Sequence, residues 1–375
     1  VEDEGTDCTI PTLPAAGSLP TVARLPDPFT KLAGGRIATK AEWRCRRAEI
    51  KKQAETYAYG TKPPKPQMVT GTVTSSMITV SVSDMGRTAN FSAPITLPSG
   101  TGPFPVVFVL GGIGADTATI RSEGVATINY DVAALGREGT GRANKQGAFY
   151  TLYGSTSTTG LLVAWAWGVS RMIDVIEQSG GNILRPDVGV TGCSRWGKGA
   201  FTVGVFDQRI ALTMPIESGT AGVPIWRGVP GEGAQSLSSA YGEQPWFGDA
   251  FTSFTGAPTR APIDTHALVA MVAPRGLLIM DNPHIANLGP RSGHVAALAG
   301  AEVYKALGVG DAISYHSNVQ EGGHCALRTE WTTPLRNAIQ RFLKKTGTAA
   351  GAINARSTTT GNLTEWRDWT TPTLN

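Results

Sequence analysis

The sequence predicts an α/β fold: a mostly parallel central sheet with helices on both faces, and antiparallel strands added on its N-terminal side. Two observations predict it. From 68 to 97 the chain alternates β-branched and polar residues (TGTVTSSMITVSVS, then ANFSAPITLP), the period-two pattern of antiparallel strands. After Pro105 that pattern gives way to short, wholly apolar runs separated by Gly-rich turns or amphipathic stretches. Buried parallel strands alternating with helices look like this, because a parallel sheet is covered on both faces.

In chain order, residues 1–40 are rich in Pro, Gly and Thr, and a helix is expected over about 40–57. Lys62-Pro63-Pro64-Lys65-Pro66 is a stiff break. The antiparallel strands follow, and then the apolar runs PVVFVL (105–110), VATINY (125–130), DVGVTG (187–192), IALTMPI (210–216), GLLIMD (276–281) and ISYHSN (313–318). Helices are expected near 160–178, 195–205, 293–307 and 332–345. No internal repeat or linker interrupts 1–375, so the chain reads as one domain, with an N-terminal extension over 1–66 and a polar tail from about 347 to 375 that wraps the surface.

With 375 residues, 41% of them hydrophobic and 17% charged, the chain can bury a large core. Net charge is only +4 and spread out. Its one local cluster, Arg44, Arg46, Arg47, Lys51 and Lys52, reads as a solvated helix face and not a nucleic-acid patch. No stretch has the apolar length of a membrane span, and the chain opens on acidic VEDEG, as a processed secreted protein or a cytosolic one would. A monomer that binds neither nucleic acid nor membrane is the expectation. Four cysteines, Cys8, Cys45, Cys193 and Cys325, have no metal-ligand spacing and can pair in three ways. Disulfides, together with the sequons Asn90-Phe91-Ser92 and Asn362-Leu363-Thr364, point to an oxidising, extracellular setting.

The chemistry concentrates at Gly192-Cys193-Ser194-Arg195-Trp196-Gly197. An apolar strand precedes it and an amphipathic helix follows, so Ser194 falls on a strand-to-helix turn. That is where the α/β-hydrolase fold places its nucleophile, with small residues flanking a tight elbow and the helix N-terminus aiming N–H groups at a developing oxyanion. Gly197 stands three residues after Ser194, one more than the usual elbow, and a serine that merely caps the helix is the competing reading. Chain order favours the nucleophile, because an acid and then a histidine are needed downstream at strand ends.

Of five histidines, His324 lies in a Gly-rich loop (Glu321-Gly322-Gly323-His324-Cys325) between the last apolar strand and the last helix, the position of a general base. His316 lies within the strand, and His266, His284 and His294 read as packed or surface residues. Cys193 adjoins Ser194 and Cys325 adjoins His324, so a disulfide between them would tie nucleophile and base loops together; in a reducing compartment they would be separate thiols. For the acid, Glu217 ends IALTMPI and Asp281 ends GLLIMD, and spacing does not decide between them.

The segment Gly192-Cys193-Ser194-Arg195-x-Gly197-Lys198-x-Ala200 resembles the signature of the glucuronoyl esterases, carbohydrate esterases acting on glucuronic acid esters. Most of the chain shares in it: Cys8 and Cys45, the LGGIG loop, Glu217-Ser218-Gly219, Glu243-Gln244-Pro245-Trp246-Phe247, Ala273-Pro274-Arg275-Gly276-Leu277-Leu278, Leu288-Gly289-Pro290 and His324-Cys325-Ala326. The resemblance implies Ser194 as nucleophile, His324 as base and Glu217 as acid. Arg195 would help form the oxyanion hole through its N–H and its guanidinium; Lys198, Gln235 and Glu243 would bind the sugar. Cys8–Cys45 and Cys193–Cys325 would be disulfides. It further implies a secreted enzyme of the fungal type that cleaves lignin–glucuronoxylan esters and needs no metal or cofactor.

Three positions depart from the fungal pattern. Asn287 stands where a sugar-stacking Trp is usual before Leu-Gly-Pro. A third disulfide is missing, with Ile225 before Trp226-Arg227 and no cysteine near Ala296. Trp196 replaces a smaller polar residue. Trp246-Phe247 reads as core before sugar platform. The nearest competing activity is that of another carbohydrate esterase, such as an acetyl xylan esterase, and a non-catalytic polysaccharide-binding protein on a hydrolase scaffold is the competitor from another class.

Overall fold

A computed structural model describes residues 1–348 and 351–375. Among the described residues ten strands form one sheet: β1 (Met68–Val73), β2 (Met77–Asp84), β3 (Arg87–Thr96), β4 (Phe104–Leu110), β5 (Ala126–Tyr130), β6 (Leu184–Cys193), β7 (Ile210–Ile216), β8 (Gly276–Met280), β9 (Ile313–Ser317) and β10 (Ile353–Ala355). Their order is β1-β2-β3-β5-β4-β6-β7-β8-β9-β10. β1 to β3 pair antiparallel and join β5 antiparallel, whereas every pairing from β5 across to β10 is parallel. This is the α/β-hydrolase arrangement that the sequence pattern predicts, antiparallel edge included.

Burial follows the same division. β3 alternates exposed and buried residues along its length, whereas every residue of β4 and β8 is buried. Alternate side chains of β4 enter opposite layers. Val106, Phe108 and Leu110 pack into the larger core with the helices Leu161–Gln178 and Arg195–Phe206. Val107 and Val109 pack with Leu335, Ile339 and Leu343 on the other face. Each such side chain contributes roughly 1.5–3 kcal/mol by leaving water. The core is tight enough to dictate glycine: a Cβ on Gly168, within the helix Leu161–Gln178, would sit 2.3 Å from the Tyr130 hydroxyl.

One expectation for the N-terminal region is corrected. The basic cluster on the helix Trp43–Ala54 is not a solvated face, because Arg46 and Arg47 are buried. Arg46 pairs with Glu49 at 2.8 Å, Arg47 with Glu4, and Lys51 with Asp3 at 2.7 Å. The acidic opening VEDEG supplies the partners of Arg47 and Lys51, and its Glu2 meets Lys62 and Arg171 in the same way. The C-terminal tail contributes to both the sheet and the core. Ile353–Ala355 extends the sheet alongside β9, and Trp369 is buried with its indole N–H donating to the Leu25 carbonyl at 2.9 Å. The part of that tail at 349–350 lies outside the described residues. Among the described residues no helix is long and apolar enough to cross a membrane.

Candidate active site

β6 ends at Cys193 and the next helix begins at Arg195, leaving Ser194 alone on the turn with φ 59° and ψ −124°. Holding a non-glycine residue there takes on the order of 1–3 kcal/mol of strain, compensated by the surroundings. Both flanking glycines are obligatory. A Cβ on Gly197 would stand 2.4 Å from the Ile216 carbonyl oxygen, and one on Gly192 would stand 2.7 Å from that of Trp196. The displaced spacing is thus accommodated by bringing Gly197, not residue 196, against the end of β7. Ser194 N–H donates to the Ile216 carbonyl at 2.9 Å, so it is spent on holding the turn. The following N–H groups, beginning with Arg195, open the helix and have no intrahelical acceptor.

Trp196 acquires a role here that the sequence does not disclose. Its indole packs against Gly111 in the loop after β4, so closely that a Cβ there would stand 2.0 Å from a ring carbon. The contact fixes the β4 loop to the elbow.

Glu217 follows β7 with φ 45°, fully buried, its N–H donating to the Met280 carbonyl at 2.7 Å. Its Oε2 lies 2.6 Å from His324 Nδ1 and accepts from Cys325 N–H at 3.0 Å. Its Oε1 accepts from Asn282 Nδ2 at 3.4 Å and faces Arg328 Nη2 at 3.5 Å. A carboxylate can only accept, so His324 carries its proton on Nδ1 and leaves Nε2 as acceptor for Ser194 Oγ, 3.0 Å away. Arg328 also donates to the Gly323 carbonyl at 2.6 Å and pins the loop that carries His324.

Asp281 is not brought to the histidine. Its Oδ2 accepts from Tyr315 at 3.1 Å and its Oδ1 from Asn282 N–H at 3.0 Å, and burial pushes its carboxyl up to about 7. The other histidines are engaged elsewhere: His266 with Pro26, His284 with Val319, His294 with Gly361 and His316 with Asn354. All four cysteines are bonded, Cys8 to Cys45 and Cys193 to Cys325, with Cα separations of 5.5 and 5.9 Å. The second bond joins the residue before Ser194 to the residue after His324.

Beside the Ser–His pair opens a cleft of about 310 Å³ lined by Arg195, Lys198, Gln235, Glu243, Trp246 and Asn287 among others. All three residues expected to bind sugar therefore share one wall system with Ser194. Lys198 is buried, donates to the Ser218 carbonyl at 2.6 Å and lies 5.1 Å from the centre of the Trp246 ring. Burial pushes its ammonium down to about 7, against the pull of Glu243. Gln235 Nε2 donates to Glu243 Oε2 at 2.7 Å, and Glu243 Oε1 accepts from Arg195 at 3.2 Å. Trp246 is buried as expected, yet one edge faces the cleft. Asn287 is exposed at the rim. The Arg195 guanidinium is engaged rather than free, held between Glu243 and Glu138, the latter at 3.1 Å. Glu138 carries no motif and is not singled out by the sequence.

A family model described as "Glucuronyl esterase, fungi" matches residues 80–308. The chain belongs to this family. It is similar to the 4-O-methyl-glucuronoyl methylesterase of Neurospora crassa, 41% identical over 370 residues that cover 96% of this chain and 92% of that protein. Among solved structures it is similar to the glucuronoyl esterase of Sporotrichum thermophile, with a TM-score of 0.91 at 36% identity over 98% of this chain and 100% of that one. A serine-to-alanine variant of the Sporotrichum enzyme, solved in complex with methyl 4-O-methyl-β-D-glucopyranuronate, superposes with a TM-score of 0.88 at 37% identity over 97% of this chain and 100% of that one. In this member of the glucuronoyl esterases Asn287 stands at the cleft, and the Glu217–His324–Ser194 hydrogen-bonded chain is continuous.

Proposed function

We propose that this protein hydrolyses esters of (4-O-methyl-)glucuronic acid by acyl transfer through Ser194, His324 and Glu217. The observation that carries the reading is His324 bridging Glu217 at 2.6 Å and Ser194 at 3.0 Å, at the mouth of a polar cleft. Ser194 Oγ attacks the C6 carbonyl while its proton passes to His324 Nε2. Glu217 holds the imidazole in the required tautomer and stabilises its charged form. The tetrahedral oxyanion faces the N–H groups that open the helix, with Arg195 alongside as a charged donor. When the C–O bond breaks, the alcohol leaves with the proton from His324. Water, deprotonated by the same nitrogen, then cleaves the glucuronoyl-serine to free acid and Ser194.

Lys198, Gln235 and Glu243 offer donors and acceptors to the sugar hydroxyls, and Trp246 offers a flat apolar edge. The 4-O-methyl-glucuronoyl methylesterase relatives and the methyl 4-O-methyl-glucuronate bound to one of them support a glucuronoyl acyl group, and our reading extends it to the ester links between glucuronoxylan and lignin alcohols. Two disulfides and exposed side chains at Asn90 and Asn362 support an extracellular, secreted setting.

The test is hydrolysis of benzyl glucuronate beside benzyl galacturonate and acetylated xylan. The reading expects turnover of the glucuronate ester, at least about tenfold slower turnover of the galacturonate, and no acetate release. Acetate release without glucuronate turnover would assign the triad to a different acyl group.

A further inference from the structure

We propose that Glu138 is a positioning residue that holds Arg195 beside Ser194 while substrate is bound; the inference rests on the esterase reading above. Glu138 uses both carboxylate oxygens on cleft residues. Oε2 accepts from Arg195 Nη1 at 3.1 Å and Oε1 from the Trp246 indole N–H at 2.6 Å. The guanidinium itself lies 5.6 Å from the centre of the Trp246 ring, so one carboxylate fixes both partners of a cation–π pair.

The loop that presents Glu138 is anchored on each side. The Gly136 carbonyl accepts the Trp165 indole N–H at 2.7 Å, and Arg137 N–H bonds to the Gln146 carbonyl at 2.8 Å. Gly139 N–H donates to Gln244 Oε1 at 2.7 Å. Arg142 reaches the Tyr241 carbonyl at 2.7 Å and the Phe247 carbonyl at 2.8 Å. Glu138 is therefore a fixed post.

The other carboxylate on Arg195 is differently placed. Glu243 is exposed at the end of the helix Leu237–Glu243 and divides its oxygens between Arg195 at 3.2 Å and Gln235 at 2.7 Å. A sugar in the cleft competes for Glu243 and Gln235, because those are its hydroxyl partners. Arg195 then keeps one anionic anchor, Glu138, and with it the distance to the reacting carbonyl. A guanidinium released from that anchor is a long side chain with several rotamers, and a displacement of about 1 Å from a developing charge is enough to lose on the order of 10²-fold in rate.

Glu138→Gln separates the two contacts, since the amide oxygen still accepts from Trp246 while the charge facing Arg195 is gone. With benzyl glucuronate we expect kcat to fall about tenfold with KM changed less than about threefold, the signature of a contact that matters in the transition state. In an Arg195→Ala background the same change should cost less than about twofold, because the residue it positions is absent. Equal losses in both backgrounds, or none in either, overturn the proposal. The indole N–H resonance of Trp246 reports the clamp independently of any ester: Glu138→Ala should shift it and Glu138→Gln should keep it hydrogen-bonded. Wild-type protein without turnover contradicts the esterase reading, whereas an unmoved indole resonance in Glu138→Ala contradicts the clamp.

Discussion

On one side of Ser194 the catalytic groups are held by backbone strain and a covalent bond; on the other, the cleft is held by contacts between side chains. Ser194, Glu217 and Cys325 all adopt positive φ, at 59°, 45° and 56°, and the Cys193–Cys325 bond locks the two loops that must meet. Arg195, Gln235, Glu243 and Glu138 instead form an ion and hydrogen-bond network, part of it exposed, with Lys198 beside it on the Ser218 carbonyl and the Trp246 ring. Chemistry that tolerates little misalignment is thus built into the main chain. Selectivity rests on groups that a ligand can rearrange, because a sugar exchanges hydrogen bonds with them one for one.

The comparison breaks most completely at Glu217. Glu217→Gln keeps the volume but offers His324 Nδ1 a competing donor, and kcat should fall on the order of 10³–10⁴-fold in steady-state assays with a near-native melting temperature. Next in size is the covalent tie: replacing Cys193 and Cys325 together by alanine should lower unfolding free energy by about 2–5 kcal/mol in denaturant titrations, with activity lost in parallel. On the cleft side, Lys198→Met should raise KM by about tenfold and leave kcat nearly unchanged. Its stability effect has a definite sign. The folded ammonium titrates near 7, below its unfolded value, so the unfolded chain binds more protons between pH 7 and about 10.5. Wild-type stability therefore gains from this site as pH rises through that window, and Lys198→Met should remove the gain from a series of denaturation curves.

Asp281→Asn sharpens the contrast with the smallest expected effect on rate, within about twofold, because Asp281 touches Tyr315 and Asn282 rather than His324. Here the folded carboxyl binds a proton up to about pH 7. Its contribution to stability is fully present below the unfolded value near 4 and is lost as pH rises toward 7. The variant should flatten that fall.

Much of this was legible in the residues. Alternation in 68–97 and the apolar runs after Pro105 identify the sheet and its antiparallel edge, since period and burial are local properties of sequence. Ser194 and His324 follow from a strand-to-helix turn and from chain order. Spacing alone leaves Glu217 and Asp281 open and only the resemblance selects Glu217: both end strands, and what separates them is the turn at Glu217 that carries its carboxylate toward His324. The burial of the helix Trp43–Ala54 escapes a local reading because Arg47 and Lys51 pair with Glu4 and Asp3, more than forty residues earlier, and no local pattern encodes that pairing. Trp196 and Glu138 were invisible for the same reason, as their partners, Gly111 on one hand and Arg195 with Trp246 on the other, are brought together only by the fold.

The central claim is that Ser194 is the nucleophile for a glucuronoyl ester. Its most direct measurement is kcat/KM for benzyl glucuronate with Ser194→Ala beside the wild type, each verified as folded by its melting curve. The account predicts a loss on the order of 10⁴-fold or more. A folded Ser194→Ala that retained activity within about tenfold of wild type would contradict it.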